Sequence, residues 1–223
     1  MRFMFALCCA VLLPASLCGA AELTLYKEFF LGQAKAGIEK MPGMTDCSDE
    51  GLDLLCREGQ SFAGLEWVQV LVFEEEALVR VALSGPSSDN GRFVNAVGAI
   101  AGSDFTVILV QAADGRAFDV LETLRAKKAD VVQNELGAFL LMAASIGEVA
   151  LVCVPNEAVM AAKKENRGKA FFDFFMNAPL ETRFVEIKAN ETDPDDDVVI
   201  SFTFPVAAMK KMHQQMGKQK EKF

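Results

Sequence analysis

The first third of the chain changes from a helical to a β-type pattern of hydrophobic residues. From residue 23 to about residue 40 the apolar positions recur three and four residues apart and end at a Pro-Gly pair, which predicts one helix, either continuous or broken at Gly32. Residues 44–63 show little periodicity and are interpreted as a loop. Residues 65–73 and 77–83 are apolar, β-branched runs on either side of three glutamates, which predicts a β-hairpin.

The middle of the chain predicts a helix, a strand and a second helix. A Ser-Ser-Asp sequence precedes residues 92–101, whose apolar side chains fall on one helical face. Residues 105–110 are a continuous apolar run and predict a strand. An Asp-Gly turn then leads into a predicted helix from Arg116 to Lys127.

Residues 137–154 contain a single charged side chain and allow three interpretations. Two strands, Ala138–Ala143 and Glu148–Val154, fit best because a Ser-Ile-Gly break and β-branched residues divide the segment. A buried helix and a membrane span are the alternatives. A membrane span needs roughly 20 apolar residues, which is close to the length of this segment.

The last third predicts two helices, a hairpin and a final helix. Residues 156–164 and 169–177 have helical patterns, and the second ends before a proline. Residues 183–188 and 198–204 alternate between apolar and polar side chains, which predicts a hairpin with an acidic tip. A proline then opens a helix from Val206 to about Gly217.

Together these elements predict an α+β fold in which antiparallel β-hairpins pack against helices. The order helix, hairpin, helix recurs near both ends of the chain, which suggests two similar halves. We assign residues 1–21 to a signal peptide, 22–112 and 113–209 to an N-terminal and a C-terminal α+β half, and 210–223 to a basic tail. The pattern leaves open whether the two halves share one core.

The first 21 residues have the three parts of a secretory signal. They are one positive charge at Arg2, an apolar stretch of about ten residues, and small residues ending at Ala21. A lipoprotein signal is the alternative, but Leu17 before Cys18 is larger than the residue that such a cleavage site requires. We therefore expect a periplasmic or secreted protein with no transmembrane span in the mature chain.

Charge separates the body of the chain from its C-terminal tail. The chain has 31 acidic and 22 basic side chains, a net charge of −9, which repels phosphate backbones and argues against a nucleic-acid partner. The tail lysines oppose this body and either keep the tail solvated or bind an anionic surface. They are Lys210, Lys211, Lys218, Lys220 and Lys222.

Three cysteines remain after the predicted signal. Cys47 and Cys56 flank a short polar segment, and an exported protein meets an oxidising compartment, so we predict a disulfide between them. Cys153 lies in an apolar run, which is typical of a buried thiol that packs as a small hydrophobic residue. A redox or catalytic role for Cys153 is the alternative.

The predicted C-terminal helix places soft donor side chains three and four residues apart. They are Met209, Met212, His213 and Met216. Thioether and imidazole groups suit Cu(I), which is the metal that this set would bind. The alternative is a methionine stripe that packs against the sheet, with the histidine at its edge.

The acidic tip offers oxygen ligands for calcium at Asp193, Asp195, Asp196 and Asp197. The tip has no glycine at the sixth position, and Phe204 stands where an EF-hand has its glutamate, so a solvated loop fits better. His213 is the only histidine of the chain, and no nucleophile-elbow, zinc-peptidase or nucleotide-binding motif is present. We therefore predict no catalytic residue and no cofactor, and keep a carboxylate-based hydrolase as the enzymatic alternative.

Residues 31–83 carry a glycine, a β-branched residue six positions later, a Pro-Gly stop, and a strand ending in Phe before a strand with Leu. The residues are Gly32, Ile38, Pro42, Gly43, Trp67, Phe73 and Leu78. In these positions the segment resembles the small outer-membrane assembly lipoprotein domain of the SmpA/OmlA type, although it lacks a lipobox and has three glutamates in place of the turn glycine. The resemblance implies a cell-envelope α+β module, so we expect an exported binding or interaction module without catalytic activity and with an envelope protein as partner.

Overall fold

The computed structural model describes residues 22–49, 51–88, 91–164, 169–190 and 196–210. The predicted signal peptide, most of the acidic tip and most of the basic tail lie outside these residues. The strands are β1 (Thr24–Tyr26), β2 (Phe29–Phe30), β3 (Thr45–Asp46), β4 (Asp53–Phe62), β5 (Leu65–Glu74), β6 (Ala77–Pro86), β7 (Phe105–Ala112), β8 (Ala117–Asp119), β9 (Glu148–Pro155), β10 (Phe184–Asn190) and β11 (Asp197–Thr203). The helices are α1 (Lys35–Ile38), α2 (Arg92–Ala101), α3 (Val120–Ala126), α4 (Ala129–Ser145), α5 (Asn156–Lys164) and α6 (Phe171–Asn177), and residues 205–210 are also helical.

Nine strands form one antiparallel sheet in the order β3-β4-β5-β6-β11-β10-β9-β7-β8. The join between the first and last parts of the chain is the pairing of β6 with β11, in which Leu83 lies opposite Ile200. β1 and β2 form a separate two-stranded ribbon. The predicted α+β class, with antiparallel strands packed against helices, is confirmed.

The first face of the sheet carries the larger hydrophobic core. Trp67, Leu71 and Ile187 are fully buried there, and the ribbon, α1, α2 and α4 pack against the same cluster. The cluster takes residues from both ends of the chain, from Leu25 to Phe204. The division into two similar halves stays a prediction.

The second face carries a smaller core over β7, β9 and β10. Its sheet residues include Ile108 and Val154, and its helical residues include Ala158 of α5, Phe174 of α6 and Val206. α3 joins this core through Leu121 and lies along β7. Thus α3, α5 and α6 meet at one end of the sheet, away from the β4–β5–β6 strands.

Both predicted hairpins, and two of the predicted helices, are present in the structure. β5 and β6 form the predicted hairpin, and Glu75 and Glu76 turn the chain with φ angles of 50° and 64°, as a two-residue hairpin turn requires. The predicted β10–β11 hairpin is also confirmed. α2 occupies the predicted range, and α5 does so as well.

The N-terminal predictions are wrong in two places. Residues 23–40 form the β1–β2 ribbon and a four-residue helix, because Lys27 and Gly32 have positive φ angles that break a helix. Residues 44–63, interpreted as a loop, contain β4, which pairs along its length with β5. Pairing with a neighbouring strand decides the structure of this polar segment, whose own hydrophobic pattern is weak.

The first of the two strands predicted in residues 137–154 is wrong. Ala138–Ala143 belongs to the long helix α4, whereas the second strand is confirmed as β9. The stretch Gly137–Ala144 has no β-branched residue, and Phe139, Leu140 and Ala143 recur at helical spacing and face the core. The helix predicted from Arg116 is shorter, because residues 117–119 pair with β7 before α3 begins.

A groove lined by cations and apolar side chains

A groove of about 470 Å³ opens between α3, α5 and α6, above the start of β7. Ligand pockets in proteins have volumes of about 300–1,000 Å³, so the groove is large enough to hold a small molecule or a short peptide. Its apolar floor is formed by Leu121, Leu124, Val159, Met160, Ala162 and Phe174, and its rim carries Arg125, Lys127, Lys163 and Lys169. We call it the cationic groove.

The floor combines buried and exposed apolar side chains. Leu121 and Phe174 are buried and belong to the core of the second face. Leu124 is 40% exposed and Met160 is 65% exposed. The groove therefore presents apolar surface to solvent beside charged side chains, a combination that is typical of binding sites.

The four rim cations differ in their partners. Lys127 Nζ binds both oxygens of the Glu135 carboxylate, at 2.6 and 2.8 Å. Within the part of the chain that the structure describes, no carboxylate lies at ion-pair distance from Arg125, Lys163 or Lys169. Among the described residues, three positive charges thus face the groove without a carboxylate partner, in a protein whose net charge is −9.

One carboxylate fixes the start of two helices beside the groove. Asp119 Oδ1 accepts the backbone N–H of Glu122 at 3.0 Å and caps α3. Asp119 Oδ2 accepts the backbone N–H of Phe171 at 2.6 Å, at the start of α6. Lys169 lies two residues before Phe171, so the backbone at Lys169 is held near the N-terminal end of α3.

The strand pairing directs the opposite end of α3 toward the start of α5. Asp119 of β8 pairs antiparallel with Leu109 of β7, so α3 continues toward the beginning of β7. There the Thr106 hydroxyl donates a hydrogen bond to the side chain of Asn156, the first residue of α5. α3 and α5 therefore run antiparallel along the groove.

This arrangement places positive charge at both ends of the apolar floor. Arg125 stands in the last turn of α3, at one end. Lys163 stands in the last turn of α5 and joins Lys169 at the other end. A seven-residue helix is about 10 Å long, so the two cationic ends are separated by roughly that distance.

Two other arginines, Arg92 and Arg57, are held by hydrogen bonds to protein atoms. Arg92 is 3% exposed, its Cζ lies 4.6 Å from the centre of the Trp67 ring, and its Nη1 donates to Glu66 O at 2.8 Å. Arg57 donates to Glu28 Oε1 at 2.8 Å and to Gln69 Oε1 at 3.1 Å. Both are held by protein atoms, whereas Arg125, Lys163 and Lys169 have no carboxylate partner among the described residues.

The structure describes all three cysteines that follow the predicted signal. Cys47 and Cys56 lie at disulfide-bond distance, with 5.8 Å between their Cα atoms, as predicted. Cys153 is a free thiol buried in the first-face core, and burial raises its pKa to about 12. Because the thiolate is the reactive form, this environment favours the packing interpretation of Cys153 over a redox one.

The predicted metal and calcium residues lie largely outside the described chain. Met209 is half-buried in the helical residues 205–210, whereas Met212, His213 and Met216 are not among the described residues. Of the acidic tip, Asp196 and Asp197 are described, and the Asp197 side chain accepts a hydrogen bond from the Ser84 hydroxyl. Among the described residues, no three His, Cys, Asp or Glu side chains are grouped to hold a metal, and no helix is long and apolar enough to cross a membrane.

The sequence interpretation missed the groove. Its cations come from two regions that are well separated in sequence, one with Arg125 and Lys127 and the other with Lys163 and Lys169, and each region alone is typical of an ordinary polar helix end. The signal that the sequence did contain was basic residues near the ends of α3 and α5, close to apolar residues such as Met160, which the structure shows to be exposed. Only the contact between these helices makes one site of them.

Comparison with known proteins does not assign the chain to a family. No family model, no curated protein and no solved structure matches it. The resemblance of residues 31–83 to the assembly lipoprotein domain therefore rests on the residues given above alone, and the helix that it implies between Gly32 and Pro42 has only four residues here.

Proposed function

We propose that the protein is an exported binding module without catalytic activity and that the cationic groove is its binding surface. One observation carries the proposal: exposed apolar side chains and three cations, which have no carboxylate partner in the part of the chain that the structure describes, line the same groove. A partner with negative charges and an apolar group would satisfy both features at once. An acidic protein gains such a local positive site at the cost of some repulsion between the cations.

Helix electrostatics account for only part of this charge. Arg125 and Lys163 lie in the last turns of their helices, where a cation also stabilises the helix dipole by about 0.3–1 kcal/mol. Lys169 lies just before α6, where the dipole is positive and a cation is unfavourable. A binding role explains all three positions, whereas a helix-stabilising role leaves Lys169 unexplained.

The lining of the groove favours binding over chemistry. Its charged groups are guanidinium and ammonium ions, which hold carboxylates and phosphates through charge-assisted hydrogen bonds. Its hydroxyl, that of Thr106, is already engaged by Asn156. The signal-like N-terminus and the cysteine pair at disulfide distance support an extracytoplasmic setting for this binding, with a cell-envelope protein as the partner.

Photo-crosslinking in the native host tests this proposal. A photoreactive amino acid at Met160 would report on the groove, and the same residue at Val94 is the matched control, because Val94 is 68% exposed on α2 at the other face of the sheet. We expect a discrete adduct from position 160 that disappears in the Arg125→Glu/Lys169→Glu variant, and no such adduct from position 94. An adduct at 160 that persists in the charge-reversed variant would contradict the proposal, as would the absence of any adduct.

A further inference from the structure

Building on this proposed function, we infer that the groove binds an extended acidic segment of a partner protein, in which two carboxylates flank one bulky apolar side chain. The inference rests on the order of groups along the groove. Arg125 lies at one end, Lys163 and Lys169 at the other, and the apolar floor lies between them. A ligand that is negative at both ends and apolar in the middle matches this order.

The spacing fits an extended peptide. Successive residues of a strand rise by about 3.3 Å and alternate in direction, so residues one, three and five point to the same side and span about 13 Å. The backbone distance along α3 is about 10 Å, and the long Arg125 and Lys169 side chains can reach the few ångströms that remain. A Glu-x-Leu-x-Glu segment therefore places one carboxylate at each cationic end and the leucine over the floor.

The inference commits to an extended segment and not to a helix. A helix with its side chains has a diameter of about 10–12 Å, so part of it would stand outside a groove of about 470 Å³, whereas an extended segment is narrower. A single-chain amphiphile such as a fatty acid would fit the volume, but its one acidic head would leave the cations at the other end without a partner.

Calorimetric titration of the full protein with short peptides tests the inference. The probe is Gly-Glu-Ser-Leu-Ser-Glu-Gly with blocked ends. One control peptide has the same composition with adjacent acids, Gly-Ser-Glu-Glu-Leu-Ser-Gly, and a second replaces both glutamates with glutamine. Dodecanoate serves as the single-headed amphiphile.

We expect the spaced peptide to bind, the adjacent-acid peptide to bind at least about threefold more weakly, and the glutamine peptide at least about tenfold more weakly, because each charge-assisted contact is lost separately. Arg125→Glu and Lys169→Glu, at opposite ends of the groove, should each weaken binding by about fivefold or more. Lys40→Glu reverses an exposed lysine near α1 and should change the affinity by less than about twofold. Affinity should also fall as salt rises from about 0.05 to 0.3 M, which tests the unmodified protein.

Three results would overturn the inference. They are equal affinity for the spaced and adjacent-acid peptides, a peptide affinity that changes neither in the Arg125→Glu and Lys169→Glu variants nor with salt, and binding of dodecanoate but of no peptide. If the crosslink at position 160 still depends on Arg125 and Lys169, the proposed function stands and only the ligand class is wrong. If crosslink and peptide binding are both absent, the proposed function fails as well.

Discussion

The surroundings of Arg92 and the cationic groove both combine an arginine with apolar side chains, but the arginine is enclosed in the first and exposed in the second. Arg92 begins α2, lies against Trp67, and is enclosed by the sheet. Arg125 ends α3, lies beside Leu124, and stays exposed to solvent. The first cation is closed in by protein atoms, with its Nη1 donating to Glu66 O and its guanidinium over the Trp67 ring, whereas the second is exposed to solvent. The difference indicates that enclosure, and not residue type, separates the structural Arg92 from the exposed Arg125, which we propose binds a partner.

Arg92 fits beside β6 because Gly85 has no side chain. A Cβ added to Gly85 of β6 would lie 2.7 Å from Arg92 Cζ, so only glycine leaves room for the guanidinium at this point of the sheet. Arg125 is itself exposed, and its sequence neighbour Leu124 is 40% exposed. Arg57 is intermediate, because it is partly buried and pairs with the half-exposed Glu28.

The largest effect that tests the comparison is the loss of Arg92. Arg92→Ala removes the contact with Trp67 and leaves Glu66 O without that donor, so we expect the free energy of unfolding to fall by about 2–4 kcal/mol. Arg125→Ala is the matched variant and should change it by less than about 0.5 kcal/mol. Urea unfolding followed by circular dichroism measures both. Equal losses in the two variants would remove the distinction between the sites.

A smaller loss of stability is expected from filling the space beside Arg92. Gly85→Ala forces the guanidinium or the strand to move, which should lower the free energy of unfolding by about 1–3 kcal/mol. Gly98→Ala is the control, since nothing lies within 4 Å of its added Cβ and alanine favours the helix, so stability should stay equal or rise. If Gly85→Ala were as stable as the parent protein, the pocket around Arg92 would be looser than the structure shows.

The smallest expected effect on the free energy of unfolding concerns the pair of Arg57 with Glu28, and it depends on pH. Burial raises the pKa of Glu28, but the hydrogen bond and charge of Arg57 outweigh it and hold that pKa below its usual value. The pair therefore stabilises the fold above the ordinary glutamate pKa, and this stabilisation is lost as the pH falls through the lowered value. Because Glu28 is half-exposed, Glu28→Gln should cost no more than about 1 kcal/mol at pH 7 and nothing measurable near pH 2.

Unfolding by urea at both pH values measures this difference. Glu181→Gln is the control, since Glu181 is exposed and forms no ion pair with any residue that the structure describes. A cost of Glu28→Gln that is the same at both pH values would show that packing, and not the charge of the pair, stabilises this region.

Hairpins were the most predictable part of the fold. β5–β6 and β10–β11 follow from alternation and from the breaks between their strands, because both signals are local. The ribbon of residues 24–30 and strand β4 were not predictable, since their short or polar sequences become strands only through pairing and burial. α4 was assigned wrongly because an uncharged run fits a buried strand or a helix, although Gly137–Ala144 has no β-branched residue that would favour the strand.

The candidate site divides in the same way. The cysteine pair was predictable because Cys47 and Cys56 are close in sequence and their chemistry is specific. The groove was not, because Arg125, Lys163 and Lys169 are brought together by a cap at Asp119 that joins α3 to α6 and by the antiparallel course of α3 and α5. Neither contact has a signature in local sequence.

The sequence by itself determined the α+β class, the hairpins and the cysteine pair, because hydrophobic period, turn composition and short-range chemistry are written in neighbouring residues. Only the tertiary structure decided which strands join into the nine-stranded sheet and which cations meet over an apolar floor. Those outcomes depend on contacts between distant segments, whose energies arise from burial and from charges that approach only after the chain has folded.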